Sequence, residues 1–286
     1  MAMSTRDTMP KDTTLQQMLQ WGTMQLENHN VPEASLDAWY LLEYVTGLKR
    51  AEYFLCQDEL CSQNCQSKFQ EAVRKRADRI PLQYIIGVQE FMGFPFRVNE
   101  HVLIPRQDTE CLVELAIPVV ENRKVLDLCT GSGCIGISLA KLGNPKIVRG
   151  VDISSQALTI ARENADLLQA DITFQESNLF ENITDKYDVI VSNPPYIPPA
   201  IIETLMPEVR VHEPRLALDG GMEGLDFYRR IAIEAKKVFE EEGVIFLEIG
   251  CEQGADVQRI FMQAGYHEVQ VHQDLAGKDR VCEAHL

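Results

Sequence analysis

Residues 124–136, KVLDLCTGSGCIG, restrict the possible architecture more than any other stretch of the chain. A short apolar run carries Asp127, a G-x-G-x-x-G turn follows, and helical spacing begins at Cys134. Glycines at such a junction permit a tight turn and let a ligand lie against the backbone. The flanking sequence keeps the same rhythm. Strands are expected at 124–128, 147–152, 172–175, 187–192 and 244–249, and helices at 134–142, 154–168, near 225–240 and at 252–263. Alternation of this kind specifies an α/β fold, a mostly parallel sheet with helices on both faces. The last stretch, YHEVQVHQDLAGKDRVCEAHL, reads as two strands with a turn at Gly277, and would add an antiparallel strand at the sheet edge.

The first ~80 residues are different, with helical spacing throughout. Leu15, Met18, Leu19 and Leu26 recur on one face, Pro32 opens a second helix that Gly47 can end, and a charged third helix runs from about Ser62 to Arg79. Around Gly93 the segment VQEFMGFPFRVN alternates aromatic and polar residues, as a β-hairpin does.

The strand ending at Asp152 places an acid 21 residues after Gly131. That spacing suits hydrogen bonds from ribose hydroxyls, so the pair of features points to an adenosine-containing cofactor. NAD and S-adenosylmethionine both fit the glycines. Asp127, four residues before Gly131, favours the methyl donor, because it is placed to reach toward the donor's amino-acid portion.

The expected strand 187–192 leads into Asn193-Pro194-Pro195-Tyr196. Ligands of open α/β sheets bind beyond the carboxyl ends of the strands. Two prolines in succession stiffen the loop and remove N–H donors while leaving carbonyl acceptors. Asn193 adds a side-chain acceptor and Tyr196 a flat ring face. A rigid set of acceptors suits a planar –NH2 group, whose nitrogen it can aim at an electrophilic methyl.

The net charge is −16, from 27 basic and 43 acidic side chains. A field of that sign repels nucleic acid, which argues against the main rival reading, a DNA or RNA adenine N6-methyltransferase acting on a flipped base. A non-enzymatic nucleotide-binding scaffold would have no use for an intact N-P-P-Y. The eight cysteines show neither disulfide-framework nor zinc-knuckle spacing, and no metal site is expected. No apolar run is long enough to span a membrane, so a cytoplasmic protein is expected.

D-x-x-T-G-S-G, Asp152 and N-P-P-Y, in that order, resemble the class I methyltransferases that act on planar amino nitrogens. With PLQYIIGVQEFMGFPFRVNEHVLIPRQDTE at 81–110, HEPRLALDGGMEGLDFYRRI at 212–231 and LEIG at 247–250, the chain is identified more narrowly as resembling the peptide chain release factor glutamine methyltransferases, the HemK/PrmC family. The resemblance implies a helical substrate-docking domain at 1–83, a β-hairpin linker at 84–105 and an S-adenosylmethionine-dependent methyltransferase domain at 106–286. It implies methylation of the glutamine in the Gly-Gly-Gln loop of release factors, with those proteins as partners and no direct contact with nucleic acid or membrane. It assigns Cys129, Thr130, Gly131, Ser132 and Gly133 to the methionine end of the donor, Asp152 to the ribose, and Asn178 with Leu179 to the adenine. Arg106 closes over the donor, and Asn193, Pro194, Pro195 and Tyr196 hold the substrate glutamine. Two residues depart from the family pattern: Cys129 stands where glycine is common, and Asn178 where an acid is common.

Overall fold

The computed structural model describes residues 9, 10 and 12–286. In chain order the elements are α1 (Leu15–Asn28), α2 (Ala34–Thr46), α3 (Arg50–Cys56), α4 (Gln63–Ala77), α5 (Leu82–Ile86), β1 (Val88–Phe91), β2 (Phe94–Arg97), α6 (Gln107–Ala116), β3 (Lys124–Leu128), α7 (Cys134–Leu142), β4 (Ile147–Asp152) and α8 (Ser155–Leu168). They continue with β5 (Thr173–Glu176), β6 (Tyr187–Ser192), α9 (Pro199–Ile202), α10 (Pro207–His212), α11 (Asp226–Glu234), β7 (Phe239–Glu248), α12 (Gly254–Gln263), β8 (His267–Gln273) and β9 (Asp279–His285).

The chain divides into two compact units. One contains the residues up to Gly87 together with Pro207–His212, the other Val88–Met206 and Glu213–Leu286. In the helical unit, α1 begins at a capping box, in which Thr14 accepts from the Gln17 N–H and Gln17 reaches back to the Thr14 N–H. Met18, Leu26, Leu41, Leu42 and Phe69 are wholly buried at its centre, each contributing about 1.5–3 kcal/mol of apolar burial. Gly22 lets this core close, because a Cβ there would lie 2.6 Å from the Phe69 ring. Glu208 of α10 belongs to the same unit, where Arg79 holds it in a two-pronged hydrogen bond, both arms 2.7 Å, and Arg76 reaches it at 2.8 Å.

The other unit is built on a seven-stranded sheet in the order β5-β4-β3-β6-β7-β9-β8. β5, β4, β3, β6 and β7 run parallel, and β9 is antiparallel to both its neighbours. Val125, Leu126, Val189, Ile190, Val191 and Ile245 have almost no exposed surface, as strands covered on both faces require. The strand order reverses beside β3, which pairs with β4 on one side and β6 on the other. The carboxyl ends of β3, β4 and β6 therefore meet at a topological switch point.

The antiparallel strand is not at the edge, where the sequence suggested it. β9 slots between β7 and β8, leaving β8 outermost. Burial explains the choice. β9 is covered at Arg280, Val281, Cys282 and Ala284, whereas in β8 Val269 alone is buried. β7 also starts at Phe239, five residues earlier than expected, with a left-handed residue at Glu242 (φ +63°) in the added stretch. The helices α3, α5, α6, α9 and α10 were not anticipated from periodicity.

Candidate active site

The glycine turn is braced from beneath. Asp127 is completely buried, and its Oδ2 accepts from Thr130 Oγ1 (2.5 Å) and from the Gly136 N–H at the start of α7 (2.9 Å). Its Oδ1 is buried without a hydrogen-bond partner. Burial pushes this carboxyl up to about 7, against the pull of those two hydrogen bonds. Asp127, assigned from the sequence to the donor's amino-acid end, is thus no part of the cleft wall; its carboxyl is used inside the fold to tie the turn to the helix. Gly133 also lies behind the wall, capping α7 at φ +83°. Asn164, which the sequence gave no reason to single out, braces the turn from α8: its Nδ2 donates to the Ser132 and Arg97 carbonyls, and its Oδ1 accepts from the Arg97 N–H.

Above the turn lies a cleft of about 140 Å³. Its wall includes Cys129, Thr130, Gly131 and Ser132 from the turn, Asp152 at the end of β4, Asn178 and Leu179 after β5, and Asn193 and Pro195 after β6. Asp152 is held firmly, with Oδ2 accepting from the Gly131 N–H and Oδ1 from the Ser154 N–H, both at 2.9 Å. Ser154 in turn caps α8 by accepting from Ala157. Burial raises the Asp152 carboxyl, while those backbone N–H groups oppose the rise. Each oxygen still has a lone pair to offer a ligand hydroxyl.

Cys129 and Leu179 have left-handed backbones, at φ +56° and +52°. A side chain in that conformation costs roughly 1–2 kcal/mol. Burial pushes the Cys129 thiol far up, so it is neutral rather than a thiolate nucleophile. The Asn178 side chain is engaged at both ends. It donates to Glu181 (2.6 Å) and accepts from Arg230 (3.2 Å), so its neighbourhood is fixed by protein partners.

Pro194 and Tyr196 are not on the wall of the cleft. The Tyr196 hydroxyl instead donates to Glu248 Oε1 at 3.1 Å. Burial, and then the adjacent Glu248, push the phenol far up, so Tyr196 stays protonated and cannot act as a base. Glu248, at the end of β7, is 1% exposed and also accepts from Thr109 Oγ1 of α6 at 2.5 Å. Thr109 lines the cleft and accepts from Asn193 Nδ2 at 3.3 Å. Thr109 was visible only as a letter in the I-P-R-x-x-T-E element. Arg106, also on the wall, donates to Glu213 Oε1 at 2.5 Å, and Glu213 is buried with Oε2 unpartnered.

A 3-2-1-4-5-7-6 strand arrangement, a glycine turn with an acid at the next strand end, and N-P-P-Y after the fourth strand together define a class I methyltransferase. The fold is shared with a methyltransferase from Pyrococcus furiosus, at a TM-score of 0.54 and 16% identity over 68% of this chain and 90% of that one. The PrmC N-terminal domain model matches residues 17–87, and the methyltransferase small domain model matches residues 107–208. Over 274 residues, covering 95% of this chain and 96% of its relative, the chain is 41% identical to a release factor glutamine methyltransferase of Geobacter sulfurreducens. It is 46% identical over 206 residues to the protein of the same name from Lactococcus lactis, covering 70% and 76%. The chain belongs to the release factor glutamine methyltransferase family.

Proposed function

We propose that the protein transfers a methyl group from S-adenosylmethionine to the side-chain amide nitrogen of the glutamine in the Gly-Gly-Gln motif of class I peptide chain release factors, acting in the cytoplasm in the service of translation termination. The observation that carries the reading is the placement of Asn193 on the same cleft as the glycine turn and Asp152.

The cleft suits the donor. Gly131 faces open space, with nothing nearer to a built Cβ than the Cys129 carbonyl at 4.0 Å, so any side chain there would enter the room a ligand needs. Asp152 would accept the ribose hydroxyls, Leu179 and Phe227 offer apolar surface to the adenine, and residues 129–132 offer backbone groups to the amino-acid end. When bound, S-adenosylmethionine supplies an electrophilic sulfonium methyl. The chain's own task is orientation, because an amide nitrogen shares its lone pair with its carbonyl and is a poor nucleophile. Asn193 Oδ1, on the wall of the cleft, and a carbonyl of the adjoining proline pair accept the two N–H bonds of the target and hold its nitrogen in one direction. The neutral Tyr196 and Cys129 supply no base; the proton leaves to solvent once the nitrogen carries positive charge.

On this reading residues 1–83 dock the protein substrate, 84–105 form a linker and 106–286 carry out the transfer. The test is incubation with labelled donor and a release factor, followed by mass spectrometry. Label on the motif's glutamine supports the reading, and label confined to adenine in nucleic acid overturns it.

A further inference from the structure

With Glu248 ionised, the contacts around it leave the Asn193 amide only one orientation. An ionised carboxylate can only accept hydrogen bonds, and a threonine hydroxyl has a single proton. That proton goes to Glu248 Oε2, 2.5 Å away. Thr109 Oγ1 is thereby left as an acceptor toward the cleft, and the group it meets, at 3.3 Å, is Asn193 Nδ2. Reversing the amide would bring Asn193 Oδ1 against an oxygen with no proton to give. The carboxylate is anchored on its other side by the Tyr196 hydroxyl, and its own backbone carbonyl accepts from Tyr228 at 3.0 Å. No described group donates to Asn193 Oδ1.

We propose that Glu248 and Thr109 are positioning residues that set the polarity of Asn193, so that the pocket presents an acceptor, takes an amide –NH2 and turns away a carboxylate. The inference rests on the methyl-transfer reading above. It assigns the discrimination between glutamine and glutamate to residues from α6 and the end of β7, which need not touch the substrate. Without the Thr109 acceptor, Asn193 is free to turn and offer Nδ2 instead, which a glutamate side chain would welcome.

The experiment is a double-mutant cycle in the full chain. Single-turnover transfer to a release factor is measured at saturating donor for wild type, Thr109→Val, Thr109→Ser, Asn193→Ala and Thr109→Val/Asn193→Ala. Binding of the same release factor with its motif glutamine changed to glutamate is measured beside it. Thr109→Val should slow transfer by roughly 10- to 50-fold, the scale of one lost orienting contact, with donor affinity changed less than about twofold. Thr109→Ser, which keeps the hydroxyl, should restore the rate to within about threefold of wild type. On the Asn193→Ala background Thr109→Val should cost less than about twofold more, because two residues that act through one group are not additive. The preference for the glutamine over the glutamate form should fall at least about fivefold in Thr109→Val, the cost of a mispaired polar group being relieved. A merely structural role for Thr109 would lower the melting temperature without touching that preference. Additive losses, or an unchanged preference, overturn the relay while leaving the methyl-transfer reading intact. Absence of transfer by wild type overturns both.

Discussion

Replacing Gly136 by alanine sets two effects against each other. Gly136 lies in the first turn of α7, where alanine is the better helix former by about 1 kcal/mol. A Cβ there would, however, stand 2.8 Å from Asp127 Oδ2 and 2.8 Å from Ile172 Cδ1. Ile172 is partly exposed and can turn away; Asp127 cannot. Its Oδ2 is held by Thr130 and by the Gly136 N–H itself, inside a fully buried site. Moving it by about half an ångström weakens two buried hydrogen bonds at about 1–1.5 kcal/mol each, and forcing an extra methyl into a packed site adds about 1–3 kcal/mol. Set against the helix gain, the variant should be destabilised by about 2–5 kcal/mol. Because Thr130 lines the cleft, donor binding should weaken as well. Denaturant unfolding at unchanged slope, together with calorimetric titration of S-adenosylmethionine, measures both. An alanine variant as stable as wild type, or more so, would refute the steric account and leave propensity in charge.

Asp152→Asn can satisfy only one of the two N–H groups its carboxylate now accepts, so donor affinity should drop by about 1.5–3 kcal/mol, roughly 10- to 150-fold by calorimetry. Asn193→Ala should leave donor affinity near wild type while slowing single-turnover transfer by about a hundredfold, or ~3 kcal/mol; near-normal transfer would show that proline carbonyls suffice. Glu208 supplies a pH test: burial alone would raise its carboxyl, but the Arg79 and Arg76 hydrogen bonds outweigh burial and hold it at about 2 against an ordinary 4.5. A folded value below the unfolded one means that the stabilisation is present above about pH 4.5 and disappears as pH falls through 2. Glu208→Gln should therefore destabilise the helical unit by about 1–2 kcal/mol at pH 6, read by hydrogen exchange in α4, and a difference that persists undiminished at pH 2 would contradict the pairing.

Local patterns carried most of the fold. The apolar runs at 125–128 and 189–191 and the glycines at 131 and 133 each declare a strand or a turn within a few residues. Asp152 and Asn193 were legible because one ends and the other follows a strand whose carboxyl end is where ligands bind. What the sequence concealed depends on distant partners. Thr109 and Glu248 are 139 positions apart, and nothing near either one indicates the other. Asp127 could be located but not oriented, because its role turns on the missing Cβ of Gly136. Asn178 reads as a departure from an acid until Arg230 and Glu181 are seen at its two ends. Glu208 counts with the helical unit although it lies in the second half of the chain, which no local pattern can announce.

The place of β9 bears on the order in which the protein can be finished. During synthesis the sheet elements emerge in sequence, and β7 and β8 are both available before residues 279–285 exist. Until then β7 has an open side along Val244, Ile245, Phe246 and Leu247, all buried once the strand arrives. An unpaired apolar strand edge is a template for other chains. At about 5–20 residues per second the 30 residues from 249 to 278 leave that edge open for a few seconds on every ribosome. The nascent protein is therefore vulnerable to aggregation in the interval between β7 and β9, and a deletion that removes β9 would make that transient opening permanent.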